Sequence, residues 1–322
     1  MTHPYTHIAK INESDGQEVF IDEDETKGCR SLRFSWLFLD SELVAELDLS
    51  SLVCLKLDKC DLIPNLLSSL PTTLEKLDMG RSTINGKIIE KLASSLQKLT
   101  LLKELGLGNT TLKQEGIEKL ITCFPSFSVL SSLDLGYNFF HDEGAAELAK
   151  GLPSLTKLTE LNLAGNHISY EGIALLAPFL SKLERINVAD NLLNDKSVVL
   201  LVKSSPRLIS LDVSGSVFGD DGAKALAFGL PNLKHLLVMR CYWPMFVTDI
   251  SIQAIVNLLW RMVDVTVDTK QKIWLNAENL ASLLVFCSGY SPSHPTATSR
   301  LLNADGDHAI CNRVGGWLLF CY

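Results

Sequence analysis

The sequence predicts an α/β solenoid, a horseshoe with a concave parallel β-sheet and convex α-helices. Three observations predict it. One short apolar pattern, L-x-x-L-x-L-x-x-(N/C/S/T)-x-L, recurs eight times in succession. A second apolar set with helical spacing follows it at a fixed offset. The interval between units stays within a narrow range, which is the mark of a repeat architecture. Counted from Phe34 at the third apolar position, the intervals are 23, 22, 28, 28, 28, 25, 25 and 25 residues.

The strand part of each unit comes first. The pattern matches at Leu52, Leu55, Leu57, Cys60, Leu62 and at Leu74, Leu77, Met79, Ser82, Ile84. It continues at Leu102, Leu105, Leu107, Thr110, Leu112, then Leu130, Leu133, Leu135, Asn138, Phe140, then Leu158, Leu161, Leu163, Asn166, Ile168. Leu183, Ile186, Val188, Asn191, Leu193 follow, then Leu208, Leu211, Val213, Ser216, Phe218, and last Leu233, Leu236, Val238, Cys241, Trp243. Weaker matches flank them at Cys29 to Leu39 and near Val263 and Val265. The L-x-L alternation is a short strand with one buried face, because successive side chains point to opposite sides. The polar residue three places on sits where the chain turns away. Its side chain can bond backbone groups left unpaired there, which Asn does most completely.

The helix part is set by counting from that polar position. Residues at +7, +10, +11 and +14 read Ile89, Leu92, Ala93, Leu96, and next Ile117, Leu120, Ile121, Phe124. Ala145, Leu148, Ala149, Leu152 and Ile173, Leu176, Ala177, Leu180 continue the series. Val198, Leu201, Val202 with Ser205, and Ala223, Leu226, Ala227, Leu230 complete it. Spacing of i, i+3, i+4, i+7 is one face of a helix. A helix is wider than a strand, so the helices take the outer rim and the strands the inner one.

Four segments follow from this pattern. Residues 1–28, polar and acidic with a turn at Ser14-Asp15-Gly16, are expected to form an N-terminal cap, and residues 29–267 the repeats. A helix from Asp249 to Met262, a strand at Val263–Val267 and a capping helix within 268–287 are expected to close the array. Residues 288–322, rich in Ser, Pro, Gly and Thr, read as an irregular or disordered tail.

The segments Asn138–Leu152 (NFFHDEGAAELAKGL), Asn166–Leu176 (NHISYEGIALL) and Ser216–Leu230 (SVFGDDGAKALAFGL) resemble the ribonuclease-inhibitor-like subfamily of leucine-rich repeats. That subfamily includes nucleotide-binding innate immune receptors and the Ran GTPase-activating proteins. The resemblance covers about residues 29–267 and implies a leucine-rich-repeat solenoid that binds a protein on its concave face. The uneven repeat lengths also look like those of effectors that intracellular bacteria deliver into host cells.

Composition bounds the function. The chain has 322 residues, 47% of them hydrophobic and 20% charged, enough apolar material for a core. A net charge of −8 argues against nucleic acid, whose binding rests on Lys and Arg neutralising phosphates. Residues 1–23 lack an apolar stretch behind a basic start, and no apolar run is long enough to span a bilayer, so neither a secretory signal nor a membrane anchor is expected. Eight scattered cysteines fit reduced thiols in the cytoplasm, or in a host cytosol for a delivered effector.

The residues around the strand leucines form the candidate binding surface. An aromatic and apolar band of Tyr137, Phe139, His167, Leu192 and Tyr242 lies beside an acidic band of Glu104, Asp134, Glu160, Asp190 and Asp212. Asn162, Asn187 and Met239 belong to the same rows. Aromatics anchor in desolvated pockets and carboxylates steer a basic partner. The expected function is a non-enzymatic adaptor or inhibitor, monomeric when free and without cofactor or metal.

Three catalytic or metal alternatives remain to be weighed. GTPase activation, implied by the likeness to the Ran activators, would use Arg81 and Asn109 on adjacent loops. A metal site in the tail would draw on Cys287, His294, His308 and Cys311, whose intervals are irregular. A cysteine-based ubiquitin ligase is rejected, because the residues after the repeats are too few for a catalytic domain. Cys54, Cys60, Cys123 and Cys241 read as small buried hydrophobes.

Overall fold

The computed structural model describes residues 7–8, 18–24, 29–35, 49–60, 64–84, 86–229, 235–238, 264–267, 301–302, 308–309, 313–314 and 317–318. It divides into two compact units, Met1–Asn166 and His167–Tyr322. In the first, β1 (His7–Ile8), β2 (Glu18–Asp24) and β3 (Cys29–Ser35) pair antiparallel in sequence order. From β3 the sheet turns parallel, through β4 (Leu52–Asp58), β5 (Lys76–Asp78), β6 (Glu104–Gly106), β7 (Ser132–Asp134) and β8 (Glu160–Asn162). The leucines stay in register, Leu77 beside Leu105, Leu133 and Leu161. Helices α1 (Pro64–Ser68), α2 (Gly86–Leu96), α3 (Lys113–Leu120) and α4 (His141–Gly151) alternate with these strands.

The second unit repeats the plan. Its strands β9 (Arg185–Asn187), β10 (Ser210–Asp212), β11 (His235–Val238) and β12 (Asp264–Val267) are parallel neighbours in chain order. Helices α5 (Tyr170–Leu176), α6 (Asp195–Ser204) and α7 (Asp220–Gly229) lie between them or ahead of them in the chain. The expected helices at Asp249–Met262 and within 268–287 fall outside the described residues. Within 288–322 the described residues form two antiparallel pairs, β13 (Leu301–Leu302) with β14 (His308–Ala309) and β15 (Arg313–Val314) with β16 (Trp317–Leu318).

Burial follows the two periodicities. From Leu52 to Leu57 and from Leu74 to Ala227 the strand leucines and the helical set are sequestered from solvent, with Ile121 and Ala149 only half-buried. One feature departs from the periodic pattern. Three of the expected single helices are an α-helix continued by a 3₁₀ turn, at Ile121–Ser126, Leu152–Ser154 and Ala177–Lys182. Each turn contains a proline, Pro125, Pro153 or Pro178, which lacks an N–H and clashes with the carbonyl four residues earlier. The tighter i→i+3 winding accommodates it and still delivers Phe124, Leu152 and Leu180 to the core.

Polar residues after the strands hold the stack together. Asn138 is fully buried, and its Oδ1 accepts from the Thr110 and Leu112 amides and the Thr110 hydroxyl at 2.9–3.1 Å. Its Nδ2 donates to the carbonyls of Leu107, Leu135 and Gly136. Asn166 does the same for the amide of Asn138 and the carbonyls of Leu135, Leu163 and Ala164. In the second unit, Asn191 accepts from the Ile168 amide and donates to the Val188 and Ala189 carbonyls. Ser82 is a weaker version, accepting from the Cys60 amide and donating to the Leu57 carbonyl. Ser216 closes the described series without a side-chain partner.

The helix starts are secured across repeats as well. The first amides of α3 and α4, on Lys113 and His141, donate to the carbonyls of Asn138 and Asn166. In the second unit α6 has a reciprocal cap between Asn194 and Ser197, and the Asp195 carboxylate accepts from the Gly219 and Gly222 amides at the start of α7.

Removal of the Asn138 amide orphans several buried backbone groups at once, at about 1–3 kcal/mol for each left unsatisfied. Asn138→Ala should therefore cost roughly 3 kcal/mol or more, against about 1 kcal/mol for Ser82→Ala. Urea unfolding of the two variants checks this, and similar midpoints would contradict it.

Candidate functional site

Strand alternation puts every other side chain on the sheet face opposite the leucines. In the first unit three rows cross this face. Lys76, Glu104, Ser132 and Glu160 form one, Lys56, Asp78, Gly106, Asp134 and Asn162 the second, and Asp58, Gly80, Gly108, Gly136 and Ala164 the third. In the second unit the rows are Arg185 and Ser210, Asn187 and Asp212, then Ala189 and Ser214.

The middle row has a structural task that the repeat pattern did not reveal. Each Asp or Asn accepts, through Oδ1, from the backbone amide two residues on. The pairs are Asp78 with Gly80, Asp134 with Gly136, Asn162 with Ala164, Asn187 with Ala189 and Asp212 with Ser214, all at 2.9–3.0 Å. This side-chain turn ends the strand and starts the bend toward the helix. The signal was present in the sequence as five Asp or Asn residues between strand leucines.

Asparagine and aspartate serve that turn equally, but only aspartate is charged. Burial raises the pKa of Asp134 above the usual 3.8, Asp78 adds to the rise, and the bonds from Gly136 and Asn162 oppose it. Asp212 is raised in the same way by burial, with Asp190 adding to it and Ser214 opposing. Both charges are therefore held at some expense to stability.

Cations already answer some carboxylates in the first unit. Lys76 Nζ lies 2.6 Å from Glu104, Lys56 Nζ 2.7 Å from Asp78 and Lys103 Nζ 2.7 Å from Glu75. Glu104, expected to face a partner, is thus half of a cross-strand pair. These exposed pairs add little stability, about 0–1 kcal/mol each.

The residue before each buried polar position is left-handed. In the first unit this holds for Lys59, Arg81, Asn109 and Tyr137 with φ of 54–63°, and for Gly165 at 64°. In the second it holds for Asp190 at 53° and Gly215 at 73°. Only glycine takes this conformation without penalty, the rest losing about 1–2 kcal/mol. Thr111, Phe139 and His167, one residue after the polar position, are left-handed too. The alternation turns Tyr137 and Phe139 outward, 44% and 46% exposed, while Asn138 between them is buried. The Tyr137 ring lies over Gly165, where an added Cβ would overlap it.

The predicted site residues thus fall into two groups. The first unit holds Glu104, Asp134, Tyr137, Phe139, Glu160 and Asn162 on β6–β8 and the loop after β7. The second holds His167, Asn187, Asp190, Leu192 and Asp212, with Leu192 61% exposed. Met239 and Tyr242 fall outside the described residues. Arg81, considered for GTPase activation, is held by Asp58 in a two-pronged pair, Nε to Oδ1 and Nη2 to Oδ2, both 2.7 Å. Asp58 is nearly buried, so Arg81 serves the turn after β4.

Of the proposed tail ligands, Cys287, His294 and Cys311 lie outside the described residues. Among those described, no group of three or more His, Cys, Asp or Glu is placed to hold a metal ion. Cys54, Cys60 and Cys123 are free thiols, and burial pushes the Cys123 pKa up to about 12, which keeps it a protonated, unreactive core group.

With this geometry in place, comparison with known proteins decides what the units are. The profile of the family described as "Leucine Rich repeat" matches residues 128–149, 154–177 and 204–227. The chain carries leucine-rich repeats. Among solved structures it is similar to an internalin (inlF) from Listeria monocytogenes. That match has 21% identity and a TM-score of 0.52, covering 82% of this chain and 74% of the internalin. The leiomodin-1 actin-binding site 2 also matches, with 21% identity and a TM-score of 0.31, covering 35% of this chain and 68% of that one. No curated protein matches the chain. The internalin likeness shows the fold.

Two predictions follow from the face. The folded-state pKa of Asp134 lies above its unfolded value, so the folded chain binds more protons between the two, and stability falls as pH rises through that window. Asp134→Asn keeps the Oδ1 acceptor and removes the charge. It should raise the urea midpoint at pH 7, with the gain shrinking as pH falls toward 3.8. A lower midpoint at pH 7 would contradict this. Gly165→Ala should destabilise by about 1–3 kcal/mol, and by less in a Tyr137→Ala background where the overlapping ring is gone. Equal costs in the two backgrounds would show that the ring is not the obstacle.

Proposed function

We propose that the chain is a non-enzymatic protein-interaction module, an adaptor or inhibitor, that binds a partner with a basic surface on the strand face. One observation carries this reading. Asp134 and Asp212 occupy a row where Asn162 and Asn187 make the same turn bond without charge. Charge there is unnecessary for the turn and works against stability, as expected of a group kept for an external cation. The exposed Tyr137 and Phe139 beside Asp134, and Leu192 in the second unit, supply the apolar anchors. In the third row Gly80 and Gly108 are only half-buried, which lets a partner approach the backbone there in the first unit.

The proposal includes a ribonuclease-inhibitor-like repeat type, supported by the resembling segments and the 28-residue spacing of Leu107, Leu135 and Leu163. It also includes a monomeric free state, no nucleic-acid ligand and a cytoplasmic location, or a host cytosol for a delivered effector. Among the described residues no helix is long and apolar enough to cross a membrane. GTPase activation through Arg81 would require breaking its pair with Asp58.

Affinity capture with immobilised wild type and an Asp134→Asn, Asp212→Asn variant tests the reading. The variant keeps the turn bonds, so loss of folding is not at issue. A basic partner retained by wild type should bind the variant about tenfold more weakly or worse, and wild-type binding should weaken with added salt. Equal capture by both proteins would remove the strand-face carboxylates from the function.

A further inference from the structure

Parallel strands fix where the loops of the second unit go. Because β9 and β10 run in the same direction, the loops that follow them lie along one border of the sheet and the segments that precede them along the other. On the first border the chain stacks rung on rung. The Leu192 amide donates to the Ile168 carbonyl at 2.8 Å, and the Val217 amide to the Leu193 carbonyl at 3.0 Å. Each rung exposes one residue just after its buried polar position: His167, Leu192 and Val217. Leu192 and Val217 are 61% and 48% exposed, although Asn191, Leu193, Ser216 and Phe218 beside them are buried. The same position in the first unit holds Thr83 and Thr111 before Phe139. A single exposed leucine needs no explanation, but apolar side chains on directly stacked rungs form a continuous ridge.

The second unit sorts its charges between the two borders. Segments 167–172, 187–197 and 212–222, on the ridge side, carry Glu171, Asp190, Asp195, Asp212, Asp220 and Asp221 against a single lysine, Lys196. Segments 177–185 and 203–210, on the other side, carry Lys182, Arg185, Lys203 and Arg207 against Glu184. The fold accounts for part of this. The Asp195 carboxylate accepts from the Gly219 and Gly222 amides, Asp212 from the Ser214 amide, and Asp220 and Asp221 lie in the first turn of α7, where the helix dipole favours them. It does not account for an apolar ridge between them. Asp190 and Asp212 precede the ridge residues in their rungs, and Glu171, Asp195 and Asp221 follow them, so carboxylates border the ridge on its strand side and on its helix side.

We propose that the ridge docks an amphipathic α-helix of the partner protein, one with an aliphatic stripe between two rows of Lys or Arg. The inference rests on the reading that the chain binds a basic protein, and it names the element that the second unit takes. Charge on both sides of the ridge selects the sign of the flanking rows. Spacing selects the helix. Rungs that stack like neighbouring strands are about 4.8 Å apart, so His167, Leu192 and Val217 stand at steps of about 0, 4.8 and 9.6 Å. Residues i, i+3 and i+7 of a helix rise by about 0, 4.5 and 10.5 Å and keep pace with them. An extended segment presents one face only every 6.8 Å or so and falls out of step by the third rung. A second copy of the chain meets like charge, at −8 on each molecule.

The test uses the full chain and a fluorescein-labelled synthetic peptide of about 18 residues, with leucines at i, i+3, i+4 and i+7 and lysines on either side of that stripe. A control peptide of the same composition alternates leucine and lysine at the strand period. Fluorescence anisotropy should show that the helical peptide binds wild type about tenfold or more tightly than the control, and that Leu192→Ser with Val217→Ser removes about as much. Asp190→Asn with Asp221→Asn should weaken binding and flatten its dependence on salt. All four substituted side chains are exposed, and circular dichroism checks folding. No binding by wild type, equal binding of the two peptides, or indifference to the Leu192 and Val217 substitutions overturns the proposal. Ridge-dependent self-association in sedimentation also overturns it, by assigning the ridge to a second copy. The two readings fail separately. Ridge-independent peptide binding, with lysate capture that still needs Asp134 and Asp212, removes the ridge alone. Ridge-dependent peptide binding, with capture indifferent to those two carboxylates, removes the strand-face reading alone.

Discussion

Each repeat must turn its chain out of the sheet inside the stack, where the backbone groups of the turn have neither a strand partner nor water. An unpaired buried amide or carbonyl costs about 1–3 kcal/mol, and a repeat protein meets that cost at every turn. Asparagine solves the problem in the first unit at 138 and 166 and in the second at 191, because one side chain both accepts and donates. Where the residue is Ser82 or Thr110, fewer bonds are made. The same bonds hold the flanking residues in left-handed conformations that Tyr137 and Phe139 would not otherwise adopt. Display of two aromatic rings is thus a direct consequence of burying the asparagine between them.

The strand face carries charge that its turn bonds do not need. The turn bond of the middle row is indifferent to charge, as Asn162 and Asn187 demonstrate. Asp134 and Asp212 nonetheless keep carboxylates in places where burial and a neighbouring Asp disfavour ionisation. Under the proposed function a basic partner would relieve that cost on binding, so that energy withheld from folding would become available for association.

Much of the fold was legible because its periods are rigid. Spacing of two set the buried strand leucines, and i, i+3, i+4, i+7 set the helical face, so Leu105 and Ile117 were placed by counting alone. The 3₁₀ turns were missed, although Pro125, Pro153 and Pro178 announced them, because a 3₁₀ turn buries the same positions as the helix it continues. The left-handed column was hidden since Lys59, Arg81 and Tyr137 share it with Asn109, Asp190, Gly165 and Gly215, so residue type marks it only in part. The site was legible in position more than in role. Tyr137, Phe139 and Leu192 are exposed as expected, but the turn bonds of Asp134 and Asp212 and the pairing of Glu104 with Lys76 depend on neighbours that no linear pattern displays. Arg81 looked available for chemistry because Asp58 lies 23 residues away in sequence.

Amide hydrogen exchange of the free protein tests most directly the claim that buried side chains lock these turns. The Thr110, Leu112, Asn138 and Ile168 amides lie outside strands and α-helices, yet each donates to an asparagine Oδ1. They should exchange as slowly as the Leu107 and Leu135 amides, which donate to the neighbouring strand's Asp134 and Asn162 carbonyls. Exchange at the rate of an open loop would contradict the account, since the turns would then be free to move and could not hold Tyr137 and Phe139 in place.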